Sequence, residues 1–438
     1  MESKQNRARE LALQILEEVF EEGAYSNIAL NKALKQNSLS SADKSLVTEL
    51  VYGTVARKIT LEWQLAHWVE DRDKLDAWLY ILLELSLYQM LYLDKIPQHA
   101  VVNEAVEIAK GRKRGSEKYV NAILRKIERD GAADPITIKR KNKRYSVQYS
   151  LPVWLVKVLI DEYGEERAEA IFASLFERNK ASIRVTDVAR KEEIKAVLGA
   201  DDSLLAPSAL VTKQGHFAGH EFFEKGLITI QDESSQLVAP ILQIEGHEQI
   251  LDACSAPGGK AVHMASYLTS GQITALDLYD HKLNLIRQNA ERLGLADKIT
   301  TKKLDATKVF ETFGPNAFDK ILVDAPCSGI GLIRRKPDIK YNKENADFEN
   351  LQKIQLDILD SVCQSLRKGG IITYSTCTIV SAENFEVVKN FLERHPNFEQ
   401  VRLEHEREDI VKDGCILITP ELYGSDGFFI SQFRKISD

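Results

Sequence analysis

At 438 residues the chain is too long for one ordinary hydrophobic core, which predicts two or three domains. Its 44% hydrophobic and 28% charged residues are those of a globular protein, and no apolar run approaches the roughly 18 residues of a membrane span. The net charge of −7 argues weakly against nucleic acid as a partner, but the basic residues are clustered, and distribution outweighs the sum.

The polar start, Met1-Glu2-Ser3-Lys4, leads straight into a helical pattern and does not read as a signal peptide. Five scattered cysteines argue against a disulfide framework and for a reducing cytoplasm. With no Cys-x-x-Cys and no clustered histidines, no metal site is expected.

Residues 1–135 read as all helix. Ala8, Leu11, Ala12, Ile15, Leu16, Val19 and Phe20 form an amphipathic stripe, and further helices are predicted over Asp43–Trp68, Trp78–Asp94, Ala100–Ala109 and Glu117–Arg129. A bundle of five to seven helices satisfies this pattern. Basic clusters lie at Lys110, Arg112, Lys113, Arg114 and Lys118, and at Lys139, Arg140, Lys141, Lys143 and Arg144. The second reads as a linker that begins at Asp134-Pro135.

Residues 145–230 read as a small α+β module. Two helices lie between Leu151 and Asn179, a strand at Ala181–Thr186, a short helix at Arg190–Leu198 and a strand at Gly226–Ile230. From 231 to 438 strands and helices alternate. Strands are predicted at Gln249–Ala253, Gln272–Leu276, Lys298–Lys302, Lys320–Val323 and Ile371–Tyr374, with helices at Lys260–Leu268, His281–Leu293, Phe348–Leu366 and Ala382–Arg394. This alternation means a parallel sheet wrapped by helices. Cys415–Thr419 and Gly427–Phe433 suit a hairpin at its edge.

Chemistry concentrates at the strand ends, where open α/β sheets bind their ligands. Cys254-Ser255-Ala256-Pro257-Gly258-Gly259-Lys260 is a glycine turn between strand and helix, matching neither a nicotinamide fingerprint nor a Walker loop. Asp277, nineteen residues past Gly258, is placed to grip a ribose diol, and Asp305 to meet an adenine edge. Each acid alone is explained as readily by local capping; the three elements in register point to a nucleoside site. Asp324 and Cys327 follow one strand, Cys377 another, and Arg334, Arg335 and Lys336 adjoin them. Cys363 and Cys415 read as small buried hydrophobes, and Cys254 as lining its loop. A nucleoside cofactor beside a nucleophilic thiol suggests attack on an electron-poor ring carbon.

The segments Asp252–Lys260, Asp324–Gly331, Arg334–Lys340 and Tyr374–Asn384 resemble the RNA cytosine-C5 methyltransferases that use S-adenosylmethionine. With the N-terminal helices similar to a NusB-like RNA-binding domain, the combination resembles the bacterial 16S ribosomal RNA enzymes of the Sun/RsmB type. The resemblance implies three parts: a NusB-like bundle (1–135), a small α+β module (145–230) and a Rossmann-like methyltransferase domain (231–438). It also implies a cytoplasmic enzyme acting on 16S rRNA, in a small-subunit assembly intermediate or free, with no membrane or protein partner. Cys377 becomes the nucleophile on C6 of cytosine, Asp324 the holder of the base, and Cys327 the group that assists loss of the C5 proton. Cofactor contacts fall to Cys254, Ser255, Ala256, Pro257, Gly258, Gly259, Lys260, Asp277, Asp305 and Asp324. One departure stands out: where the family has Arg-x-Asn, this chain has Arg184-Val185-Thr186.

The rivals are the same chemistry on transfer RNA or another rRNA site, and a non-catalytic RNA-binding or antitermination factor, against which the complete set of acids and cysteines argues. DNA fits less well, because DNA cytosine enzymes place the nucleophile in the Pro-Cys motif.

Overall fold

A computed structural model describes residues 4–213, 215 and 217–437, with the side chains of 4–6 outside the description. Met1–Ser3, part of the polar start, lie outside the described residues. The chain divides into two compact units: residues 1–168 with 335–342, and residues 169–334 with 343–438.

The first unit is helical. Its helices are Lys4–Glu21, Ser26–Gln36, Ser41–Leu65, Ala77–Tyr92, Gln98–Arg112, Ser116–Asp130, Lys141–Gln148 and Val153–Tyr163. The predicted stripe from Ala8 to Val19 is buried, with Phe20 packed against it. Ala77–Tyr92 is mostly apolar, and every residue from Leu79 to Met90 is buried, which makes it the helix around which the others pack. The expected linker is corrected at its basic end. Lys141 opens a helix that buries Tyr145, Ser146 and Val147, an apolar face too short to stand out among the flanking charges. Residues 335–342 join this unit through a turn over Pro337–Tyr341, where the buried Lys340 ammonium donates to Ala56 O (2.8 Å) and the Tyr341 hydroxyl to Val55 O (2.8 Å).

The second unit holds two sheets. The smaller contains β1 (Ala181–Val185), β2 (Asp201–Asp202), β3 (Ala209–Thr212) and β4 (Ile228–Ile230), antiparallel in the order β2-β3-β1-β4. Only β1 and β4 are expected from the pattern; β3 is four residues long and gives no periodicity to read. The larger sheet contains β5 (Gln249–Asp252), β6 (Gln272–Asp277), β7 (Ile299–Lys303), β8 (Phe318–Asp324), β9 (Leu366–Thr376), β10 (Phe398–Val401), β11 (Val411–Lys412), β12 (Cys415–Ile418) and β13 (Phe428–Lys435). Its order is β11-β12-β13-β9-β8-β5-β6-β7, with β10 pairing β13. Strands β5 to β9 run parallel, as the alternation predicts.

The tail strands pair antiparallel, as expected of a hairpin, and extend the sheet past β9. β13 lies inside the sheet, antiparallel to β9 from Phe429↔Thr376 to Arg434↔Ile371, while β12 and the two-residue β11 lie beyond it. Phe428–Gln432 are all buried, so this strand suits a position covered on both faces rather than an edge.

The chain passes from β5 to β6 and β7 on one side, then crosses to β8 and β9 on the other. The order therefore reverses between β5 and β8, and the crevice beyond their carboxyl ends is where such sheets bind ligands. Among the described residues no helix is long and apolar enough to cross a membrane, and no group of three or more His, Cys, Asp or Glu is disposed to hold a metal.

In the first unit, Glu84 sits in the buried Ala77–Tyr92 helix with its Oε1 unpartnered. Burial, reinforced by Glu62, pushes its carboxyl up to about 8. The folded state thus prefers the neutral acid, and stability falls as pH rises from the ordinary glutamate range toward 8. Glu84→Gln is expected to exceed wild type by roughly 3 kcal/mol in denaturant unfolding at pH 9, with the gap closing by pH 5. A gap independent of pH would contradict this assignment.

Candidate active site

Five strand ends build the site. β5 ends at Asp252, and the turn that follows opens the helix Gly259–Ala265. Gly258 adopts φ +99°, and a Cβ there would meet Ile286 Cα at 3.0 Å; around Gly259 a Cβ would find open space. A bound molecule can therefore approach this backbone closely. Asp277 closes β6 and Asp305 lies two residues beyond β7. Each spends one oxygen on a local turn: Asp277 Oδ1 accepts from Tyr279 N (3.0 Å), and Asp305 Oδ1 from Thr307 N (2.9 Å) and Thr307 Oγ1 (2.8 Å). Cys254 lies among the acids: burial, then the charges of Asp252, Asp324, Asp277 and Asp305, push its thiol far up, so it lines the loop as a neutral group.

Asp252 is 1% exposed, with both carboxyl oxygens lacking a hydrogen-bond partner, and the Ser255 hydroxyl beside it is also unpartnered. Burial, with Asp324 beside it, pushes Asp252 up to about 7. Sequence reasoning gives Asp252 no role; it is an acid at the end of an apolar run, indistinguishable from a cap. Open backbone at Gly259, unpartnered polar atoms at Asp252 and Ser255, and two acids at neighbouring strand ends fit a nucleoside cofactor with a polar sugar.

Across the switch point, Asp324 ends β8. Its Oδ2 pairs with Lys260 Nζ at 2.7 Å and its Oδ1 accepts from Ser375 Oγ at 2.8 Å. Lys260 also lies over the Phe428 ring, 5.0 Å from its centroid. Thus Lys260, expected among the cofactor contacts, orients Asp324, and Ser375, unremarked in the sequence, fixes the other oxygen. Cys327 and Cys377 meet with their sulfurs 3.2 Å apart, both as free thiols. The hydrogen bond with Cys377, then burial and the charge of that partner, push the Cys327 thiol well up. Cys363 and Cys415 are buried elsewhere, raised by burial to about 12 and about 11, as inert thiols are.

The cysteine loops pass too close for side chains. Gly331 N donates to Cys377 O (3.1 Å) and Gly427 N to Gly331 O (2.9 Å). Arg334 is buried and donates to Pro420 O (3.2 Å) and Ser425 O, so it serves the loops, while Arg335 is half-buried and Lys336 exposed. Arg184, in the departure from Arg-x-Asn, is buried with Nε on Gln231 Oε1 (2.9 Å), and Thr186 Oγ1 donates to Gly226 O (2.8 Å).

Residues 239–434 match the family described as 16S rRNA methyltransferase RsmB/F, and residues 6–129 the NusB family. The probable ribosomal RNA small subunit methyltransferase B of Bacillus subtilis (strain 168) is 43% identical over 99% of both chains. The chain belongs to the ribosomal RNA small subunit methyltransferase B family. The Shewanella oneidensis ribosomal RNA small subunit methyltransferase B is 32% identical over 98% of this chain and 99% of its own. A crystal structure named PH0851 has a TM-score of 0.84 at 25% identity, covering 99% of each chain. A methyltransferase homolog protein from Pyrococcus horikoshii, at 24% identity and TM-score 0.59 over 68% of this chain and 100% of its own, shares the fold. The chain is an S-adenosylmethionine-dependent ribosomal RNA methyltransferase with an N-terminal NusB domain.

A Cβ on Gly331 would stand 2.1 Å from Gly427 O and 2.8 Å from Cys377 O, both backbone atoms that cannot swing away. Gly331→Ala is expected to lower Tm by several degrees, through roughly 1–3 kcal/mol of overpacking, and to slow methyl transfer at least about tenfold. Wild-type turnover in this variant would show that the loop spacing is not required.

Proposed function

We propose that this methyltransferase modifies C5 of one cytosine in 16S rRNA through a covalent intermediate in which Cys377 is bonded to C6. The observation that carries the reading is the pair of free thiols 3.2 Å apart, beside an aspartate held by a lysine and a serine. One thiol suffices for attack; a second at contact distance supplies a group that can move another proton.

Bound S-adenosylmethionine supplies an electrophilic methyl group, with Cys254–Lys260, Asp277, Asp305 and Asp324 as its expected contacts. As a thiolate, Cys377 Sγ forms a bond to C6 while the C5=C6 pair shifts toward C5, making that carbon able to take the methyl. Asp324 accepts from the exocyclic amine and, when N3 takes a proton from solvent as the adduct forms, from N3–H, a proton returned to solvent on release; its orientation by Lys260 and Ser375 requires no rearrangement. Cys327 then accepts the C5 proton, the C5=C6 bond re-forms, and Cys377 leaves as a thiolate.

The thiol contact also orders these events. While Cys377 is free, its hydrogen bond and charge keep the proton on Cys327. Once Cys377 is a neutral thioether its charge no longer opposes ionisation of Cys327, so Cys327 is better able to act as the base, although burial still raises its thiol. The base must leave any stack to reach the site, so an RNA loop or bulge is the expected target. The exposed Lys110, Lys113, Arg114 and Lys118 of the NusB domain are proposed as phosphate contacts.

The reading is tested by transfer of labelled methyl to unmodified 16S rRNA, with a tRNA pool in parallel. Label is expected in 16S rRNA at one cytosine C5; label in tRNA alone would contradict the substrate. Cys377→Ala should reduce transfer by at least about a thousandfold with cofactor affinity retained. Cys327→Ala should accumulate an RNA–protein species visible as a shifted band on a denaturing gel. Near-normal turnover in the first, or no RNA-dependent band in the second, removes the respective role.

A further inference from the structure

Glu383 belongs to neither the cofactor loop nor the base-holding pair, yet it is wholly buried at the junction of the two cysteine loops. Its carboxylate accepts hydrogen bonds from Ser328 N (2.8 Å), Ser328 Oγ (2.5 Å) and Gln355 Nε2 (3.1 Å), and the Thr378 side chain also bonds to it. Ser328 directly follows Cys327, and its hydroxyl lies 3.0 Å from Thr378 Oγ1, whose residue directly follows Cys377. The Glu383 carbonyl and the Asn384 side chain bind the same strand end. Glu383 O accepts from the Tyr374 hydroxyl (2.7 Å), and Asn384 joins Thr376 Oγ1 (2.5 Å) and Thr378 O (3.0 Å).

Among the described residues no lysine or arginine pairs with this carboxylate, and burial pushes it above the usual glutamate range. A buried acid without a counter-charge is expensive, and an apolar side chain would fill the space at lower cost. Its use here follows from the donors it meets. N–H groups and hydroxyls converge on one side chain, and a carboxylate accepts from all of them without offering a donor of its own.

Resting on the two-thiol reading above, we infer that Glu383 is the positioning residue that holds Cys327 and Cys377 at their working separation, by fixing the residue that follows each cysteine. Addition at C6 needs Cys377 alone; loss of the C5 proton needs Cys327 correctly placed relative to the same base. Freeing the Cys327 loop should therefore harm the second step more than the first, because a misplacement near 1 Å costs on the order of a hundredfold.

The test uses the full-length enzyme, 16S rRNA transcript and S-adenosylmethionine, with Cys327→Ala as control. Glu383→Ala removes all of these acceptor contacts. Glu383→Gln keeps the shape but turns an amide N–H toward one donor. In Glu383→Ala, single-turnover release of methylated RNA is expected to slow about a hundredfold, with cofactor affinity unchanged and the shifted RNA–protein band of Cys327→Ala appearing although both cysteines are present. Glu383→Gln should show a fainter band. A purely structural role would lower Tm and reduce addition and release together, without a band. If Glu383→Ala does not fold, Glu383→Gln decides by the same criterion. A band in Cys327→Ala but in neither Glu383 variant overturns this inference alone; absence from all three overturns the two-thiol reading, and this inference with it.

Discussion

Everything at the site depends on one topological constraint, the crossing of the chain from β7 to β8. It makes β5 and β8 neighbours, so that Asp252 and Asp324 emerge side by side, and it brings β9 with Cys377 next to β8 with Cys327. A parallel sheet can be crossed this way only by helices on its faces, which leaves the carboxyl ends free of cover. The cofactor loop lies on one side of the crossing and the two thiols on the other. Lys260 spans them: it leaves the glycine turn of β5 and ends on Asp324 at the end of β8.

The site also shows where buried charge is tolerated. Asp324 is matched by Lys260 and Ser375 and remains partly open to solvent. Asp252 and Glu383 are buried without a cation, one lacking hydrogen-bond partners and the other holding several. Residues that strain against burial in this manner are concentrated where groups must be held ready for reaction. Arg334, buried a few residues from Cys327, donates from its two terminal nitrogens to the carbonyls of Pro420 and Ser425 and so stabilises the loops.

Much of this was legible in the sequence for a definite reason. Asp277 and Asp324 follow apolar runs directly, Cys327 and Cys377 come a few residues later, and a run of Val, Ile and Leu fixes where a strand stops and its rim begins. Contacts between side chains far apart in sequence were not legible. Lys260 reads as part of a cofactor loop, and its 2.7 Å contact with Asp324 spans 64 positions. Glu383 sits in Ser381-Ala382-Glu383-Asn384, which looks like an ordinary helix start, and only the fold brings it to Ser328. The strand β13 was recognised as half of an edge hairpin, but its pairing with β9 was not, since pairing partners leave no mark on local periodicity. The helix Lys141–Gln148 was hidden for the opposite reason: its charges dominate a pattern in which a few buried residues decide.

The central claim is that Cys377 rather than Cys327 bonds to the base. It is tested most directly by incubating the wild-type enzyme with S-adenosylmethionine and 16S rRNA in which cytosine carries fluorine at C5. There is then no C5 proton to remove, so the adduct persists. Peptide mass spectrometry of the trapped species should locate the nucleotide on the peptide containing Cys377. Attachment to the peptide containing Cys327 would contradict the account.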